Sequence, residues 1–271
     1  MQGFSNNILL SYKNLYGLIG FPLSHSFSKN YFAQKFETEA VVDSFYEVFP
    51  IDKIELFPAI LKTNPNFKGL NVTIPYKEDI ISYLNYLDEG ARAIRAVNCI
   101  KIENGFLLGY NTDAYGFEKS LLEFLIANEA TPKQALILGT GGAAKAVAFV
   151  LKKLGILYKF VSRDAEKADI TYEQLHTLDA YSLVINTTPL GMSPKLESCP
   201  DIPYHCLSSR HLLFDLVYNP TETLFLQKGT QQGAATQNGL PMLYYQAEKA
   251  WEIWNTNSNY THFYTDITTY G

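Results

Sequence analysis

Residues 135–150, ALILGTGGAAKAVAFV, open with an apolar run, pass through a knot of small residues and continue with apolar positions at helical spacing. That order predicts a strand, a tight turn and a helix. Gly139 and Gly141 can adopt positive φ and let the backbone approach a ligand. Gly142 leaves the turn open, and Ala144 is small enough for close helix–sheet packing. Unpaired amides at the start of such a helix attract a phosphate, most often a dinucleotide pyrophosphate. A glycine-rich turn alone also serves ordinary tight connections. The strand before it and the helix after it favour the dinucleotide reading.

The bulk properties bound the rest. With 271 residues and 47% apolar content, the chain can bury a large core and is expected to form two domains. Its net charge of −5, from 22 basic and 27 acidic residues, supplies no cationic field for nucleic acid and no polybasic membrane patch. Cys99, Cys199 and Cys206 are odd in number and lack metal-ligand spacing, which predicts reduced thiols in a cytoplasmic protein, without disulfides and without a metal site. No apolar run reaches membrane-spanning length, and the first twelve residues lack Lys and Arg. Neither a signal peptide nor a transmembrane helix is expected.

Upstream of the glycine turn, NLYGLIGF (14–21) reads as a strand that Pro22 closes, followed by a serine-rich loop and a helix from Lys29 to Phe36. Ser26 and Ser28 either cap that helix or hold a small carboxylate ligand. His25 shares the loop; the other four histidines are scattered and read as structural or solvent-facing. A strand over 43–49 and a helix over 51–60 complete a β-α-β unit.

In FKGLNVTIPYKED (67–79), Leu70, Val72 and Ile74 are expected on one strand face, with Asn71 and Thr73 on the other. Pro75 stops the ladder. Lys77 then stands just past the strand's carboxyl end, where α/β proteins commonly place functional residues, although any single lysine defaults to solvated surface. A helix is predicted over 79–94, then a hairpin turning at Asn104–Gly105. Asn111, Thr112 and Asp113 lie at the next strand-to-helix junction. They either cap the helix or bring Asp113 to the cleft of Lys77, where a carboxylate beside an amine allows a proton to move.

A helix over 114–130 leads to the glycine turn. The strand LYKFVS (157–162) ends in Ser162–Arg163 with Lys167 nearby, a set that suits a ribose phosphate better than a ribose diol; Asp164 adds a negative charge beside those cations. Buried strands are predicted over 181–186 and 212–218, with a helix over 221–228 and a small-residue turn over 236–239. A final helix over 240–254 carries a broad apolar stripe that core packing explains, with Gln246 as the exception.

PLSHSFS (22–28), GLNVTIPYK (69–77), AVN (96–98), NTDAYG (111–116), GTGGAAKA (139–146), VSR (161–163), NTTPLGM (186–192), DLVYNPTETLFL (215–226) and NGLPMLYYQA (238–247) occur in this order. Together they resemble the shikimate dehydrogenase family over essentially the whole chain up to its Tyr- and Thr-rich tail. The resemblance implies a two-domain α/β fold, with an N-terminal substrate domain on a mixed, mainly parallel sheet (1–113), a Rossmann-like NADP-binding domain (114–238) and a C-terminal return (239–271). It implies NADP(H) as cofactor, shikimate and 3-dehydroshikimate as ligands, and a monomer or homodimer. Lys77 and Asp113 would be the catalytic pair. Ser26 and Ser28 would meet the substrate carboxylate, and Thr73, Asn98 and Gln246 its ring hydroxyls, with Asn71 and Tyr218 beside them. The cofactor would contact Gly139, Thr140, Gly141, Gly142, Ala143, Thr187, Leu216, Gly239 and Met242, with Ser162, Arg163 and Lys167 at its adenosine-phosphate end. The family commonly has Asn-Arg-Thr where this chain has Ser162-Arg163-Asp164. A quinate-active or NAD-using member, a methylenetetrahydrofolate dehydrogenase-like enzyme and a non-catalytic regulator are the competing readings.

Overall fold

The computed structural model describes residues 9–23 and 26–256; Ser24, His25, His262 and the tail beyond Thr256 lie outside the described residues. The chain builds two six-stranded sheets. The first contains β1 (Asn14–Gly20), β2 (Ser44–Pro50), β3 (Phe67–Val72), β4 (Tyr86–Leu87), β5 (Cys99–Glu103) and β6 (Phe106–Tyr110), in the order β2-β1-β3-β5-β6-β4. Parallel pairing joins β1 to β2 and β3, across the helix α1 (Phe27–Thr38) and the short helix α2 (Phe57–Thr63). β5 runs antiparallel to both β3 and β6. The β5–β6 hairpin turns at Asn104 and Gly105, with φ of 52° and 83°, the two positive values that a two-residue turn matched to strand twist requires.

This topology sets where the polar residues go. Because β5 reverses on β3, its first residue Cys99 pairs with Asn71 near the carboxyl end of β3, and the end of β6, Tyr110, pairs with the same Cys99. Three separate points of the chain, those following β3, preceding β5 and following β6, therefore meet at one sheet edge.

The second sheet is wholly parallel, in the order β12-β11-β10-β7-β8-β9, and comprises β7 (Gln134–Leu138), β8 (Leu157–Ser162), β9 (Ile170–Thr171), β10 (Leu183–Asn186), β11 (Leu212–Asp215) and β12 (Ala235–Gln237). The chain leaves β7 in one direction to β8 and β9, then returns to β7's other side with β10. A parallel sheet whose strand order reverses in this way opens a crevice at the carboxyl ends of its central strands. Leu136, Ile137, Val184, Ile185, Leu213 and Phe214 are fully buried, as near-continuous apolar runs in a two-sided parallel sheet should be.

Several predicted elements differ in the structure. The helix expected over 79–94 is a 3-10 turn (Asp79–Tyr83), the short strand β4 and the helix α3 (Glu89–Ile94), whose N-cap Asp88 accepts a hydrogen bond from the Ala91 amide. Apolar spacing alone did not register that cap. Ile74 is exposed and lies outside β3, because Pro75 ends the ladder after Val72. The first two residues of the turn expected at 236–239 belong to strand β12 (Ala235–Gln237), and the helix expected over 221–228 is α6 (Leu224–Gln231), capped by Thr223.

Two long helices link the sheets. α4 (Thr112–Ala127) leaves the first sheet and α7 (Leu240–Asn255) packs along it. α7 is anchored at its far end by Trp254, whose Nε1 donates to the Ile100 carbonyl at 3.0 Å and whose ring stacks on Tyr16. At the near end, a methyl group on Gly116 would lie 2.5 Å from the Met242 carbonyl oxygen and 3.0 Å from the Gln246 amide nitrogen. Gly116→Ala gains about 0.5–1 kcal/mol of helix propensity but forces backbone atoms apart at a cost of roughly 1–3 kcal/mol. Calorimetry should therefore show a lower melting temperature; an unchanged or higher one would remove this close approach as a constraint.

Candidate active site

The sheet edge defined above carries Lys77 after β3, Asn98 before β5 and Asp113 in the first turn of α4. Lys77 Nζ donates to Asp113 Oδ2 at 2.7 Å, and the Lys77 carbonyl accepts from the Val97 amide at 2.7 Å. Asn98 Nδ2 donates to Asp113 Oδ1 at 2.9 Å and also lies 3.0 Å from Thr112 Oγ1 and 3.3 Å from Gln246 Oε1. Asn98 Oδ1 accepts the Thr112 amide at 2.6 Å. Asp113 is thus held on both oxygens, while the Lys77 ammonium keeps two further protons to offer a ligand.

Asn71 Oδ1 accepts from the buried Tyr46 hydroxyl at 2.8 Å, and its Nδ2 donates to the Asn98 carbonyl at 3.3 Å. Its role is therefore to brace Asn98. Ser26 Oγ accepts from the Lys29 amide at 3.2 Å, which makes it the N-cap of α1, and the Ser28 hydroxyl lies against that of Tyr46. Thr73 continues the edge beyond β3 through its amide, which donates to the Ile19 carbonyl at 2.9 Å. Tyr218 is half-buried, its ring meeting Phe27 edge-on, and that burial raises its phenol above the usual value.

The cofactor candidates gather at the carboxyl edge of the second sheet. Gly139 follows β7 at φ 110° and Thr187 follows β10, donating through its amide and hydroxyl to the Leu138 carbonyl at 3.0 and 2.7 Å. A methyl on Gly139 would lie 2.7 Å from Thr187 Oγ1, so glycine is required there by both conformation and space. Gly141 has φ −78° and does not use the freedom of glycine; its contribution is that a Cβ there would meet nothing within 4 Å. Thr140 and Gly141 lead into α5 (Gly142–Lys153), whose N-terminus carries no side-chain cap and no acidic residue in its first turn. Amides of Gly142 and Ala143 bordering open space, without a carboxylate among them, fit a pyrophosphate.

Ser162 ends β8, with Arg163 exposed beside it and forming no ion pair among the described residues. Lys167 Nζ pairs with Asp164 Oδ2 at 3.2 Å, the negative charge that the sequence places beside those cations. Asp164 thereby neutralises one cation and leaves Arg163 as the stronger phosphate candidate. Leu216 follows β11, and Gly239 must be glycine because a Cβ there would overlap the Leu216 carbonyl group. Met242 is buried against α4.

The two edges face each other. Lys145 of α5 donates to Glu78, the neighbour of Lys77, at 2.7 Å, and Ile94 and Ala96 share one core with Ala144 and Val147. Reading the sequence missed Thr112 as a partner of Asn98, and it missed the buried group Asn186, Asp215 and Thr223 altogether. The only sequence signal for the latter was a polar residue closing each of two apolar runs, at Asn186 and Asp215. No helix among the described residues is long and apolar enough to cross a membrane.

Residues 18–100 match the model of the shikimate dehydrogenase substrate-binding domain. The shikimate dehydrogenase (NADP(+)) of Desulforamulus reducens is 37% identical over 259 residues, covering 88% of each chain. A crystal structure of a shikimate dehydrogenase in complex with NADP+ superposes with a TM-score of 0.80 at 33% identity, covering 90% of both chains. The Thermus thermophilus shikimate 5-dehydrogenase, solved with NADP(H) and shikimate, gives 0.77 at 31% identity over 89% of this chain and 93% of that one. With its ordered motifs, its paired sheets and relatives of this similarity along nearly its whole length, the chain belongs to the shikimate dehydrogenase family.

Proposed function

We propose that the protein catalyses the reversible, NADP-dependent reduction of 3-dehydroshikimate to shikimate. The observation that carries this reading is the Lys77–Asp113 pair, held by Asn98 at an edge that faces an uncapped, glycine-opened helix start. NADPH, when bound, supplies the hydride. As the substrate carbonyl is reduced, negative charge grows on its oxygen; the Lys77 ammonium stabilises that charge and donates the proton. Asp113 orients Lys77 and keeps its charge paired before substrate arrives. Asn98, Thr73 and Gln246 present short, direction-specific hydrogen-bonding groups to ring hydroxyls, and Ser26 and Ser28 meet the carboxylate. An analogue lacking one hydroxyl would leave a buried partner unmatched.

Gly139 to Ala143, Thr187, Leu216, Gly239 and Met242 form the wall for the cofactor, with Ser162 and Arg163 at its phosphate end and Lys167 supporting through Asp164. Residues 1–113 are assigned to substrate binding and catalysis and 114–238 to the cofactor, with the last helix, in 239–271, returning to the first unit. The support for these assignments is that every residue named lies at the carboxyl edge of one of the sheets or on the helices joining them.

Initial rates for shikimate or quinate with NADP+ or NAD+ test the reaction and its selectivity together; the expected result is strong activity only with shikimate and NADP+. Lys77→Ala should lower turnover by roughly 10²–10⁴-fold with NADPH binding retained. Near-normal turnover would remove the assigned role. Arg163→Ala should weaken NADPH about tenfold or more in a fluorescence titration, from loss of a charge-assisted bond worth ~1.5–3 kcal/mol, with NADH nearly unaffected. Equal losses for the two cofactors would argue that Arg163 does not meet the phosphate.

A further inference from the structure

At the carboxyl ends of β10 and β11, Asn186, Asp215 and Thr223 are each completely buried. Asp215 Oδ1 accepts from Asn186 Nδ2 at 2.9 Å and from the Val217 amide at 3.0 Å, and its Oδ2 accepts from Thr223 Oγ1 at 2.6 Å. Asn186 Oδ1 in turn accepts from the amide and hydroxyl of Thr188 at 3.0 and 2.6 Å. The network contains no cation, and removal from water pushes the Asp215 carboxyl up to about 6. A buried carboxylate that faces no cation is a costly choice for a strand end that an apolar side chain would fill more favourably.

The network reaches two segments that matter to the proposed reaction. On one side lies the Thr187–Thr188 turn, beside Gly139 at the crevice. On the other lies Leu216 to Tyr218, which carries a cofactor-facing residue and the aromatic ring that meets Phe27 of α1. The second segment is gripped again from behind, because the Gly239 amide donates to the Val217 carbonyl at 3.1 Å immediately before the helix that bears Gln246. A neutral side chain with one polar atom could satisfy one of these donors. Only a planar group with two polar atoms can meet Asn186, Val217 and Thr223 at once: a carboxylate accepts from all three, and a carboxamide accepts from the first two through Oδ1 and donates to the Thr223 hydroxyl.

We propose that Asp215 is a positioning residue: through Asn186 and the Val217 amide, its carboxylate fixes the cofactor-side turn at Thr187–Thr188 and the Leu216–Tyr218 segment in a single register. The proposal rests on the reaction proposed above, and the test separates the two. Asp215→Val removes all three acceptor contacts. Misplacement of reacting groups by about 1 Å can cost on the order of 10²-fold, so kcat/KM for shikimate oxidation should fall roughly 10–100-fold. Asp215→Asn keeps the planar shape and the Oδ1 acceptor, and it should stay within about threefold of the parent. Val184→Ala, a cavity on β10 that removes none of the network's hydrogen bonds, is the stability control; it should lower the melting temperature yet leave kcat/KM within about twofold.

Amide hydrogen exchange over 187–191 and 216–218, read on the same variants, requires no substrate. Faster exchange in Asp215→Val than in Val184→Ala is the expected result. If Asp215→Val does not fold, Thr188→Val, which cuts the far end of the network, should raise KM for NADP+ about fivefold or more, in line with the same positional sensitivity. Equal kinetic losses in Asp215→Val and Val184→Ala, a loss in Asp215→Asn as large as in Asp215→Val, or an unchanged KM in Thr188→Val would each overturn the positioning role. An inactive parent protein would instead overturn the reaction, and the exchange measurement would still decide whether Asp215 fixes the two segments.

Discussion

The carboxamide of Asn98 is buried where three strand ends converge, and its two polar atoms engage Asp113, Thr112 and Gln246. An amide in that position has no water to fall back on, so each neighbour must present the matching donor or acceptor. Asp113 then points one oxygen toward Asn98 and the other toward Lys77, and Gln246 turns its Oε1 toward Asn98 and Thr112. The orientation of the site follows from hydrogen-bond satisfaction in a dry pocket rather than from attraction between charged groups alone.

That constraint reaches outward through the scaffold. Antiparallel β5 is what brings Asn98 to the carboxyl end of β3, and the tight Asn104–Gly105 turn is what brings the end of β6 back to the same edge. Gly116 lets α7 approach α4 closely enough for Gln246 to reach Asn98. On the opposing sheet the constraint is different: Gly139 makes room for the Thr187 turn, and Gly141 leaves the space beside the start of α5 open.

Much of this was legible in the sequence because it depends on local rules. The β7–turn–α5 unit follows from periodicity and glycine placement, the hairpin from Asn104–Gly105, and the strand-end position of Lys77 from Pro75. What was not legible depends on long-range pairing. The helix expected over 79–94 breaks because β4 adds to the sheet edge beside β6, a contact invisible to a window of apolar spacing. Thr236 and Gln237 looked like part of a turn because they precede Asn238–Gly239 and form no apolar run, and only the parallel pairing of β12 with β11 makes them strand. Asp215 and Asn186 closed apolar runs and looked like ordinary strand ends, yet they bond to each other across 29 positions of chain. The negative charge of Asp164 beside Arg163 and Lys167 was legible as well; which of the two cations it pairs with depends on the fold.

Trp254 has a consequence for how the molecule is made. It fastens the end of α7 to the first sheet through the Ile100 carbonyl and the Tyr16 ring, so the helix bearing Gln246 is held by residues translated near the two extremes of the chain. A nascent polypeptide that has emerged from the ribosome only as far as Gly239 already contains Lys77, Asp113 and the whole parallel sheet, but not the amide that completes Asn98's surroundings. The polar surroundings of Asn98 are therefore complete only once α7 has been synthesised.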